Sequence, residues 1–82
     1  MRIKPLRATL KKYLADHRLT KKFNKQIRLF QENPSYPSLN TERLEPKQLK
    51  IYSFRIDRKY RAIFILTSSV EVEIVDINDH YQ

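Results

Sequence analysis

At Pro46 the hydrophobic period of the chain changes, and that change constrains the fold more than any other feature. Beyond it, residues 49–56, 60–66 and 70–77 are rich in Ile, Val, Phe and Tyr, which suit a half-buried pleated surface. The gaps Asp57, Arg58, Lys59 and Thr67, Ser68, Ser69 leave room only for tight turns. Three strands joined this way predict an antiparallel meander. Along the middle strand, alternation puts Tyr60, Ala62, Phe64 and Leu66 on one face and Arg61, Ile63 and Ile65 on the other, because successive side chains point to opposite sides. The aromatic face is the one to bury. Arg61 is therefore expected on the open face or at its rim.

Before Pro46 the period is helical. Leu6, Leu10, Tyr13 and Leu14 fall at i, i+4, i+7 and i+8, with Arg7, Lys11 and Lys12 turned outward, which predicts an amphipathic helix over 6–14 with Pro5 in its first turn. A second helix is expected from Thr20, a possible N-cap, with Phe23, Ile27 and Phe30 on its apolar side and Lys21, Lys22, Lys25 and Arg28 on its polar side. Pro34 must end it by driving Asn33 out of helical geometry. Residues 33–48 hold three of the four prolines and read as an ordered connection, neither strand nor long helix, anchored by Leu39 and Leu44. An early strand over 1–4 is expected to join the meander. The reading is one α+β domain spanning 1–82: an N-terminal helical hairpin packed on a twisted antiparallel sheet of three to four strands.

The chain carries 17 Lys and Arg against 9 Asp and Glu, a formal net charge of +8. Such a surface favours nucleic acid, an anionic membrane or an acidic protein. The charge is polarised: residues 1–28 hold ten bases and only Asp16 as an acid, whereas residues 62–82 hold four acids and no Lys or Arg. Absence of cysteine excludes disulfides and thiolate metal sites, and His17 and His80 stand too far apart in sequence to suggest a zinc centre, so no metal is expected. Absence of glycine removes the phosphate loops of the Walker and dinucleotide fingerprints; no cofactor is expected, and phosphate must be met by side chains. No stretch approaches the ~20 apolar residues that span a bilayer, and the first residues lack a secretory apolar run. A soluble cytoplasmic protein without a membrane partner is the expectation.

The run Tyr52-Ser-Phe-Arg-Ile-Asp-Arg-Lys-Tyr-Arg-Ala-Ile-Phe64 and the ending Val75-Asp-Ile-Asn-Asp-His80, set behind two helices, resemble the RelE/ParE superfamily, the plasmid-stabilisation type of toxin in type II toxin–antitoxin systems. The resemblance implies two helices on a twisted antiparallel sheet and a cognate antitoxin. It also implies one of two targets. Many members cut messenger RNA at the ribosome, by attack of a ribose 2′-OH on the adjacent phosphate without a metal; the ParE branch inhibits DNA gyrase.

For an mRNA-cleaving endoribonuclease, the resemblance assigns Arg61 to the charge building on phosphate and His80 to proton transfer. Alternatively, Arg61 is a strand arginine pairing with Glu71 or Glu73, and His80 a polar residue with no special task. Arg55, Lys50, Arg58 and Lys59 are candidates to line the same groove, with Tyr52 or Tyr81 to stack on a base; alternation sets Lys50 and Arg55 on opposite faces. The lysines that cleaving relatives carry on the first meander strand are replaced here by Tyr52 and Phe54. Lys21, Lys22, Lys25 and Arg28 are candidates for contact with ribosomal RNA. Three functions stand open: ribosome-dependent mRNA cleavage, inhibition of gyrase without cleavage, and binding of nucleic acid without toxicity.

Overall fold

The structure, a computed structural model, describes residues 1–79. Helix α1 (Ala8–Asp16) starts two residues later than the apolar spacing suggests, with Arg7 in extended geometry as its cap. Leu10 and Leu14 bury its inner side. The helix closes through Arg18 in left-handed geometry at φ 56° and a 2.7 Å bond from the Leu19 amide to the Leu14 carbonyl, a glycine-type C-terminal closure built without glycine. Leu19 then drops into the core, and α2 (Thr20–Glu32) follows at once, Thr20 being its first helical residue rather than its cap. At its end Asn33 is extended, as the following proline requires.

The strands are β1 (Arg2–Ile3), β2 (Glu42–Arg43), β3 (Ile51–Arg55), β4 (Arg61–Leu66) and β5 (Glu71–Asn78), in the spatial order β1-β5-β4-β3-β2. The meander β3-β4-β5 is antiparallel as expected. Both edges add to it. The early strand is present, but it runs parallel to β5, so the sheet is mixed and has five strands. β2 forms inside the proline-rich connection that was expected to hold no strand: Leu39 is fully buried and pulls the segment against the sheet, and Glu42 and Arg43 come into register with Ser53 and Tyr52.

The first meander strand is shorter than its composition suggests. Residues Lys47–Leu49 make a 3-10 turn behind Pro46, Lys50 takes φ 54°, and the ladder begins only at Ile51. Leu49, 60% exposed, stays outside the core.

The helices cover one face of the sheet around Phe30, Phe54 and Phe64, whose ring centroids lie 5.1 to 5.9 Å apart. Each such ring contributes on the order of 2–3 kcal/mol by leaving water. In β4–β5 the pairing steps from Phe64 opposite Ile74 to Ile63 opposite Asp76, so Val75 is an extra residue in β5, a bulge that bends the end of the sheet carrying Arg61. No helix among the described residues is long and apolar enough to cross a membrane.

Candidate functional site

Residues opposite each other in a ladder share a face. On the face turned from the helices, the register aligns Arg55, Arg61 and Asn78 in one row, Ser53, Ile63 and Asp76 in the next, and Ile51, Ile65 and Glu73 in a third. The cationic row lies nearest the β3–β4 turn. There the Asp57 Oδ1 accepts the amides of Lys59 and Tyr60, both at 2.8 Å, and its Oδ2 accepts from Lys22 Nζ at 3.2 Å. Partial burial alone would raise the Asp57 pKa, yet the two amides and Lys22 together hold it below the usual carboxylate range. This turn fixes the register that brings Arg55 opposite Arg61.

Arg61 does not stand at an open rim. Only 6% exposed, its side chain lies across β3: Nε donates to Ser53 Oγ at 2.9 Å, and Nη2 donates to the carbonyls of Asn40 at 2.6 Å and Ser53 at 3.4 Å. Asn40 takes φ 45° just before β2, a left-handed turn that asparagine tolerates well. Glu71 and Glu73, the alternative partners for Arg61, pair instead with Arg2 at 3.5 Å and Arg7 at 3.1 Å. Burial lowers the Arg61 pKa from its ordinary value, Glu42 opposes the shift and Arg55 adds to it; a guanidinium nonetheless stays protonated. Arg55 is exposed. Among the described residues neither arginine has a carboxylate within ion-pair distance. Glu42, opposite Ser53 on the same face, offsets part of the charge on Arg61, so the exposed Arg55 is the cation of the row left open to an incoming anion.

The other sequence-predicted residues separate. Lys50 precedes the strand, exposed beyond the 3-10 turn. Tyr52 points to the helix side, stacked on Phe64 at 5.5 Å with the Arg43 guanidinium 5.8 Å from its ring centroid; as part of the core margin it is not placed to stack on a base bound at the open face. Arg58 is exposed at the turn, and Lys59 pairs with Asp79 at 3.8 Å. Lys21, Lys22, Lys25 and Arg28 stay together on α2 and Arg18 joins them, on the helix layer and not in the open-face rows, with Lys22 reaching the β3–β4 turn. His80 and Tyr81 lie outside the described residues. Sequence reasoning missed the groups that hold Arg61, namely Ser53 and the Asn40 carbonyl, and it missed Asn78 and Asp76, whose side chains are bonded to each other at 2.8 Å. Counting back from the Asp57 turn would have found Ser53 on the Arg61 face; nothing in the sequence foretells the Asn40 carbonyl.

The family model of the ParE-like toxin domain matches residues 17–81. The chain belongs to the ParE-like toxin domain family. By family this ParE-like chain is a toxin domain. Its fold is also that of solved structures. The YoeB/ParE toxin from Agrobacterium tumefaciens superimposes with a TM-score of 0.72 at 21% identity, covering 99% of this chain and 100% of that one. The YoeB dimer from Staphylococcus aureus gives 0.71 at 22% identity, and the heterotetrameric YoeB–YefM toxin–antitoxin complex from the same organism gives 0.69 at 22%, each covering 98% of this chain and 94% of that one. No curated protein sequence matches the chain.

Proposed function

We propose that this ParE-like toxin is a metal-independent endoribonuclease that cuts messenger RNA at the ribosome in the cytoplasm, and that a cognate antitoxin holds it in check. The observation that carries the reading is the Arg55–Arg61 pair on the open face of the sheet, opposite each other in the ladder and, among the described residues, with no carboxylate within ion-pair distance of either. In the reaction a ribose 2′-oxygen forms a bond to phosphorus as the bond to the 5′-oxygen breaks, leaving a 2′,3′-cyclic phosphate and a 5′-OH. Charge grows on the non-bridging oxygens at that moment, and fixed cations stabilise it there. Arg55, being exposed, is the group that reaches the phosphate; Arg61, locked by Ser53 and Asn40, supplies positive charge from behind and positions it. His80 takes the role of moving the 2′-OH proton or protonating the leaving oxygen. An acidic amphipathic antitoxin segment suits this surface by charge.

A second reading is favoured by the same arginine. Because Arg61 is almost fully enclosed and committed to internal bonds, the face can serve as a rigid contact surface for a protein target such as DNA gyrase, with no bond cut. Mapping RNA 5′ ends after brief induction separates the two. The nuclease reading expects new 5′-OH ends within coding regions that vanish in Arg55→Ala and His80→Ala; persistent growth arrest in both variants with intact messenger RNA sinks it.

A further inference from the structure

The solvent side of α2 carries a second concentration of charge. Arg18, Lys21, Lys22, Lys25 and Arg28 line one shallow hollow of about 420 Å³. Lys21, Lys25 and Arg28 stand at i, i+4 and i+7, along about 10 Å of helix axis. Like charges at these spacings repel, and no acidic residue occupies the first turn of the helix to offset them. Of the five, only Lys22 has a carboxylate partner among the described residues, Asp57 at 3.2 Å. Arg18 joins the row from a left-handed backbone at φ 56°, a conformation that glycine or asparagine holds at lower cost. The arrangement works against the stability of the free chain, which directs attention to a polyanion outside it.

We propose that this face of α2 docks the phosphate backbone of RNA, separately from the open face of the sheet. Three features choose the ligand. All five lining residues are cationic, with no apolar side chain to form the dry centre of a protein interface. The apolar side of α2 is already spent on Phe23 and Phe30 in the core, so the helix has nothing to insert into a bilayer. No aromatic ring lines the hollow, so it reads charge along a backbone and not bases. The hollow also adjoins the proposed reaction site: Lys22 reaches the β3–β4 turn, and Gln26, on the next turn of α2, donates to the Arg55 carbonyl at 2.7 Å. A strand leaving the Arg55–Arg61 row past Arg58 meets α2 next. The choice of RNA over DNA rests on the reading of that row as an RNA site; the backbone contact does not.

The test uses the full chain with Lys21, Lys25 and Arg28 changed together to Gln; Lys22 is kept because it also braces the turn. Binding is measured to an RNA duplex of about 16 base pairs, to DNA of matched sequence, to phosphatidylserine vesicles and to a polyglutamate peptide. The triple variant should bind the RNA on the order of 100-fold more weakly at moderate salt, and the slope of log affinity against log salt should become shallower by roughly 2 to 3. Its circular dichroism and melting should match the wild type, since all three side chains are exposed. Lys21→Glu alone should lower affinity further than Lys21→Gln, which gives a second reading if the triple variant folds poorly. An unchanged slope, or wild-type binding to vesicles or polyglutamate as tight as to RNA, overturns the proposal, and tighter binding to DNA overturns the choice of RNA. His80→Ala should leave the slope unchanged, so cleavage that persists in this variant with binding intact would count against the nuclease reading alone, whereas an unchanged slope in the triple variant counts against the docking face alone.

Discussion

The two faces of the β3–β4 hairpin are built from adjacent residues and do opposite things. Tyr52, Phe54, Ala62 and Phe64 turn toward the helices and pack, ring against ring, into a face satisfied by contact alone. Ser53, Arg55, Arg61 and Ile63 turn away and form a face in which burial had to be matched by hydrogen bonds, with Arg61 closed down on Ser53 and Asn40 while its neighbour Arg55 stays in water. A hydrophobic face needs only area, which is forgiving of detail. A charged face that is half buried needs specific oxygen atoms, and these come from parts of the chain distant in sequence.

The sharpest way to break this contrast is to remove an inner ring. Phe54→Ala opens a cavity among Phe23, Phe30 and Phe64 and should cost about 3–5 kcal/mol, read as a fall in denaturant midpoint. Arg61→Ala should cost about 1–3 kcal/mol, because the Ser53 hydroxyl and the Asn40 carbonyl lose their donor. If Arg61→Ala is instead neutral in chemical denaturation, the enclosed arginine is not holding the β2 segment to the sheet.

Asp57→Asn addresses the turn that sets the two faces in register, and at neutral pH should cost about 1 kcal/mol. The folded carboxyl is depressed below its ordinary value, so its contribution is present above the ordinary carboxylate range and is lost as pH falls through that range and below it. Melting of the wild type should therefore drop more steeply below about pH 4 than melting of Asp57→Asn; parallel curves would remove Asp57 from the acid response. The smallest change in stability belongs to Arg55→Ala, within about 0.5 kcal/mol, although this variant should lose the new RNA ends on which the nuclease reading depends. A variant that is stable and inactive, set beside one that is unstable through Arg61, would divide the row into a reaching residue and a supporting one.

The inner face was legible in the sequence because periodicity reports which side chains leave water. Leu10, Leu14, Phe23 and Phe30 on the helices and Ala62 and Phe64 on the sheet are buried as their spacing indicates. The run from Arg55 to Arg61 likewise marked the hairpin and its turn, because Asp57 finds its amide partners two and three residues away. What the sequence misjudged was short or long-range. β2 is two residues held by pairing with Ser53 and Tyr52, and no local propensity announces it. Strand alternation put Arg61 on the correct face but in the open, since alternation gives a direction and not a depth.

By itself, then, the sequence determined a helical hairpin followed by a meander, a basic N-terminal half and the family signature between Tyr52 and His80, all of which follow from neighbours along the chain. The tertiary structure alone decided that β1 runs parallel to β5, that Tyr52 faces inward, and that Arg61 is enclosed by an oxygen 21 residues away. Each of these depends on bringing distant backbone together, and a bond between residues far apart in sequence leaves no mark in the pattern of either one.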